Sequence, residues 1–141
     1  MSDREQLPQD AAGVLEASRA REKAQALYYR VLAAQASVAG NVSATERLSE
    51  LHADEQHHLS RLTARLLELG HAPRDLSAIP APAGELDGWE AGTREREADE
   101  VRWYERLVGL ALDEATVAVL QEILEAERHH ARELGGKWMS A

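Results

Sequence analysis

Glu55-Gln56-His57-His58 and Glu127-Arg128-His129-His130 are two copies of one short word, set in the two halves of a 141-residue chain. Each contains E-x-x-H. On an α-helix, residues three apart lie on one face a turn apart, so the Glu carboxylate and the His imidazole can reach a single ion. The pattern alone is not specific, since with 18 Glu and 6 His in the chain chance supplies roughly one match. A third copy, Glu68 and His71, straddles Gly70 at the end of a helical pattern and has no counterpart in the other half. The meaning of the two good copies comes from their surroundings.

Apolar residues recur at helical spacing over 11–39, 44–69, 87–112 and 114–134, and no segment alternates as a strand would. The fold class predicted is all-α. The reading is one four-helix bundle over 11–136, with a flexible N-terminus over 1–10 and a short tail over 137–141. Gly40-Asn41 ends the first helix, Ser43 or Thr45 caps the second, and Asp113 caps the fourth. Gly70 stops helix 2 and Gly135-Gly136 stops helix 4. Both inter-helix breaks are short enough for antiparallel hairpins. His71 to Leu86, with Pro73, Pro80, Pro82 and Gly84, is not helical throughout. About 16 extended residues reach roughly 50 Å, enough for a crossover along the bundle.

Composition narrows the function classes. A formal charge of −9 argues against a nucleic-acid partner, which requires Lys and Arg on phosphates, and suits attraction of cations. Without Cys there is no disulfide, iron–sulfur centre, zinc thiolate or thiol nucleophile, so any metal is held by oxygen and nitrogen. Met1 to Asp10 lacks the apolar run of a signal peptide, and no stretch approaches the ~20 apolar residues of a membrane span. A cytoplasmic protein without a membrane partner is expected.

The two halves align. Arg21-Glu22 with Tyr29 seven residues on matches Arg96-Glu97 with Tyr104 seven residues on. From the upstream Glu to its E-x-x-H is 33 residues in the first half and 30 in the second, a difference the hairpin loops absorb. This is an internal repeat of about 75 residues. Heptad counting puts Leu15, Glu22, Tyr29, Leu32 and Ala36 on one stripe of helix 1, and Leu48, Leu51, Glu55, His58, Leu62 and Leu69 on one of helix 2. Helix 3 gives Thr93, Glu97, Glu100, Tyr104, Leu107 and Ala111, and helix 4 gives Leu120, Ile123, Glu127, His130 and Leu134. At 1.5 Å per residue from the first turn, Glu22 and Glu55/His58 fall within roughly 10 Å of one height, and the second hairpin agrees better. These levels do not separate an up-down-up-down bundle from one with a crossover.

Glu22, Glu55, Glu97, Glu100 and Glu127 would then share a layer with two imidazoles and no Lys or Arg on the same stripes. Buried like charges at that density need protonation or compensation. Two divalent cations compensate most of it, and oxygen plus imidazole donors suit iron or manganese.

In these residues the chain resembles the ferritin-like superfamily, most closely the rubrerythrin-type di-iron domain, over residues 11 to 134. The resemblance implies two hairpins joined by a long crossover linker. It implies metal ligands Glu22, Glu55, His58, Glu97, Glu127 and His130, with Glu55 and Glu127 bridging two iron ions. Rubrerythrins add a Glu one turn after the helix 3 ligand; Glu100 stands there, where helix 1 has Gln25. Glu100 is either a seventh ligand with a catalytic role or a solvated side chain. Tyr29 and Tyr104 either bond ligand carboxylates and take part in catalysis or are packing residues. The implied activity is reduction of hydrogen peroxide or O2 with electrons from an external donor, because the Cys-ligated domain that many rubrerythrins use for electron entry is missing. The same ligands would serve a ferroxidase, a di-iron hydroxylase, or a metal-binding bundle without catalysis. A homodimer is expected, through extra apolar residues such as Val31, Val38, Val117 and Val119. His57 and His129 lie about 100° from the ligand histidines and are read as surface or supporting groups. His52 and His71 are read as surface residues, and Trp89, Trp103 and Trp138 as packing residues.

Overall fold

A computed structural model describes residues 7–139, and the side chains of 7–134. Among the described residues there are four α-helices and no strand: α1 Ala11–Val38, α2 Val42–Glu68, α3 Trp89–Val108 and α4 Glu114–Met139. The chain divides into two compact units, Met1–Ala83 with α1 and α2 and Gly84–Ala141 with α3 and α4. Of the segment 1–10, only 7–10 lies within the described residues.

In the first unit Asp10 opens α1, its carboxylate accepting from the Gly13 N–H at 2.8 Å. The far end closes on Gly40, whose φ of 75° is the left-handed conformation a side chain resists. The Gly40 N–H donates to Ser37 O at 3.1 Å and the Asn41 N–H to Ala36 O at 2.9 Å, a complete Schellman closure. Asn41 then begins α2, its side chain accepting from the Ala44 N–H at 3.1 Å. Asn41 therefore caps α2, rather than Ser43 or Thr45, because it already sits at the residue where the chain turns. Gly70, with φ 85°, closes α2 in the same manner, and the His71 N–H donates to Leu66 O at 3.0 Å. His71 is thus already off the helix, so Glu68 and His71 form no ligand pair.

α1 packs on α2, and Leu15, Tyr29, Leu32 and Ala36 of α1 and Leu48, Leu51, Leu62 and Leu66 of α2 are all fully or almost fully buried. Leu66 takes the inner place expected of Leu69, which as the C-cap is only half-buried. Outside this core lies a polar clamp. Arg19 donates to Thr63 Oγ1 at 2.8 Å, to Glu16 at 2.7 Å and to the Arg74 carbonyl at 3.2 Å, while the Arg74 N–H donates to Glu16 at 2.9 Å. The first residues after α2 are thereby fastened to α1. No helix forms between Gly70 and Trp89, as the prolines require.

In the second unit α3 is shorter than its apolar pattern. It begins after Gly88, with φ 70°, and ends at Val108, where Gly109 follows. Ala111 is exposed and outside the helix. Asp113 caps α4, accepting from the Thr116 N–H and hydroxyl at 3.0 Å each. α3 packs on α4, and Tyr104, Leu107, Leu120, Ile123 and Leu134 of this unit are buried. α4 does not stop at Gly135-Gly136 but continues to Met139. A glycine weakens a helix by about 1 kcal/mol relative to alanine without forbidding it.

Asn41→Ala leaves the turn in place and removes the cap, so it lowers stability by about 1 kcal/mol. Urea unfolding followed by helical circular dichroism checks this, and a midpoint equal to wild type contradicts it.

Candidate metal-binding site

The upstream Glu and the E-x-x-H word meet within each unit. α1 carries Glu22 and α2 carries Glu55 and His58 on their inner stripes, and all three are buried. Each offers a ligand atom, and these lie within 4.8 Å of one another. His58 Nδ1 is 2.9 Å from Glu55 Oε1 and 3.4 Å from Glu22 Oε1. The second unit repeats this with Glu97 from α3 and Glu127 and His130 from α4. There His130 Nδ1 is 3.1 Å from Glu127 Oε1 and 3.4 Å from Glu97 Oε1, again with all three donor atoms within 4.8 Å. The four carboxylates are 0% exposed, and His58 and His130 are 4% and 3% exposed.

This donor set fits a metal ion. For metal–ligand bonds of about 2.1 Å, neighbouring ligand atoms stand about 3.0 Å apart around an octahedron and about 3.4 Å apart around a tetrahedron. The imidazole-to-carboxylate separations in the two triads, 2.9 to 3.4 Å, lie within about 0.1 Å of that range. Two carboxylate oxygens and one imidazole nitrogen, without sulfur, suit iron, manganese or zinc. In both triads it is Nδ1 that faces the carboxylates, so Nδ1 is the atom that would ligate.

In the metal-free chain those same carboxylates govern the proton. Burial pulls His130 toward the neutral form, but hydrogen bonds to Glu127 and Glu97, reinforced by their charges, outweigh it and raise the imidazole to about 11. His130 is therefore an imidazolium at neutral pH, and a metal entering its triad displaces that proton.

The remaining candidates take distinct places. Glu100 is buried, at 6% exposure, so it is not a solvated side chain, and it stands outside the triad of its unit. Tyr29 and Tyr104 are fully buried. The Gln25 side-chain amide donates to the Tyr29 hydroxyl at 3.3 Å, and Tyr28 stacks edge-on against the Tyr29 ring at 5.4 Å. Gln25 thus has a part that the sequence reading missed; its position four residues before Tyr29 was the available signal. His57 and His129 are exposed, the latter 3.3 Å from Glu133. His71 is exposed, whereas His52 is half-buried and lowered by that burial and by Arg30 and Lys23. Trp89 is buried, Trp103 lies under the Arg106 guanidinium at 5.5 Å, and the Trp138 side chain is outside the described residues. Val31 and Val38 are exposed, Val117 is half-buried and Val119 is buried.

Elsewhere in the first unit, Asp10, Glu16, His71 and Arg74 border a cleft of about 300 Å³. Asp10 there caps α1 and Glu16 belongs to the Arg19 clamp, so the cleft presents no convergent donor set. No described helix is long and apolar enough to cross a membrane. No protein-family model, curated protein or solved structure matches the chain.

The His130 shift carries a sign. With a folded pKa of about 11 against an ordinary 6.5, its contribution is complete below the unfolded pKa and is lost as pH rises toward 11. Chelator-treated wild type should therefore lose more stability than His130→Gln between pH of about 6 and about 9. Denaturant midpoints across that window test this, and parallel curves for the two proteins refute it.

Proposed function

We propose that the two triads come together as one dinuclear centre in a ferritin-like four-helix bundle, made of two antiparallel hairpins joined by the long crossover segment. The protein is then a di-iron oxidoreductase of rubrerythrin type. The observation that carries this reading is the repeated triad. Two carboxylates and one Nδ1, at nearly the same separations, recur at matched positions of both halves. One such cluster is compatible with an incidental buried polar group, but a repeat in register is not. The matched helical levels of the ligands add support, as does a linker long enough to cross the bundle.

Two iron ions, or manganese in their place, would supply a two-electron couple that reduces hydrogen peroxide and two protons to two waters, or acts on O2, with an external donor restoring both electrons. The chain's own residues hold and prepare that couple. Glu22, Glu55, Glu97 and Glu127 would provide carboxylate oxygens that neutralise the ions, and His58 and His130 would provide Nδ1. The leucines at positions 51 and 62 and Ile123, all fully buried, keep bulk water from the ligands and so strengthen their hold. Gln25 holds the Tyr29 hydroxyl oxygen, leaving its proton directed away from the amide. Glu100, buried on the α3 stripe, would be the carboxylate that holds and hands over a proton. This last feature favours peroxide reduction over ferroxidase action.

Protein purified without chelators is expected to carry about two metal equivalents per chain and, with iron, near-ultraviolet absorption that chelation abolishes. Less than about one equivalent sinks the reading. Glu100→Ala should keep its metal and consume peroxide at least about a hundredfold more slowly. Unchanged turnover removes the preference for peroxide, and Fe(II) oxidation without peroxide consumption assigns a ferroxidase instead.

A further inference from the structure

The chain has four threonines, and three have evident hydroxyl partners. Thr45 donates to Asn41 O at 2.8 Å, Thr63 to Leu59 O at 2.8 Å, and Thr116 pairs with Asp113 at 3.0 Å. A helical threonine commonly returns its hydroxyl to the carbonyl one turn back, as the first two do. Thr93 is fully buried, yet its Oγ1 has no hydrogen-bond partner among the described residues. Such a hydroxyl destabilises a fold, and valine would fill the same space without it.

Its position is specific. Thr93 lies four residues before Glu97 on the buried stripe of α3, and Ser18, equally buried, lies four residues before Glu22 on α1. A hydroxyl one turn ahead of the ligand Glu is therefore part of the repeat. Helical side chains lean toward the N-terminus, so a glutamate reaches back over the turn that holds the residue four before it. Ser18 already makes an interaction of its own; Thr93 keeps its hydroxyl in reserve.

We infer that the Thr93 hydroxyl is a hydrogen-bonding contact for a small exogenous ligand of the Glu97–Glu127–His130 triad, an anion or hydroxylic molecule of two or three heavy atoms, such as peroxide or azide. The inference rests on the metal reading of that triad. It makes the second half the side on which the small oxidant is received, and Thr93 a binding residue rather than a metal ligand.

Azide is the probe, titrated optically into iron-loaded full-length protein with metal content measured in parallel. Thr93→Val should bind azide about tenfold more weakly with unchanged metal content, since one hydrogen bond to a charged ligand is lost. Thr93→Ala should show the same loss, and Thr93→Ser should stay within about twofold of wild type. Equal azide affinity in the valine and alanine variants overturns the assignment while leaving the metal reading intact. Loss of metal together with azide also overturns it, making Thr93 a support of the ligands instead. A wild type that takes up no metal overturns the metal reading and this inference together.

Discussion

Buried carboxylate charge is the constraint to which the chain is built. Glu22, Glu55, Glu97 and Glu127 are sealed from water, with Glu100 nearly so. Taking an ion out of water costs several kcal/mol even after relaxation. Each triad contains one imidazole beside its two carboxylates, and in the second the carboxylates hold His130 in its charged form when no metal is present. Arg19 is also buried, but it is engaged with Glu16, Thr63 and the backbone of Arg74. The leucine core has to hold these acids in place against their tendency to solvate. Long helices packed along a continuous apolar seam do this, with acids interrupting the seam only where the repeat places them.

Much of this was legible in the sequence because helical periodicity and the repeat reinforce each other. The stripe residues Glu22, Tyr29, Glu55, His58, Glu97, Tyr104, Glu127 and His130 are all buried as read. The ends of helices were less legible, since a cap depends on local turn geometry. Asn41 rather than Ser43 opens α2 because its own N–H also closes α1. Apolar residues can run past a helix, as Leu110 and Leu112 do after Gly109. Glycines that end α1 and α2 do so with positive φ, whereas Gly135-Gly136 remain helical. Composition alone does not separate the two cases. The Arg19 clamp left no sequence signal because it joins residues up to 58 positions apart through a backbone carbonyl and amide.

The two halves are alike where ions would be held and differ one turn to either side. Three residues after the upstream Glu stands Gln25 in one half and Glu100 in the other. Four residues before it stands Ser18 in one and Thr93 in the other. An amide that donates to a tyrosine hydroxyl fixes a neutral arrangement, whereas a carboxylate at the same register adds a charge and a site for a proton. A repeated sequence thus acquires two chemically different halves through very few substitutions.

The compact turn at Ala39–Asn41 has a consequence for how such a chain can change in evolution. Because Asn41 both closes α1 and opens α2, a residue added at this turn would disturb two helix ends at once. An insertion within either helix would rotate the following ligand by about 100° off its stripe. Length variation is therefore more costly between Glu22 and His58 than in the proline-bearing stretch beyond Arg74, where no helix has to keep its register. The turn acts as a ruler, and the spacing between ligands is inherited from it.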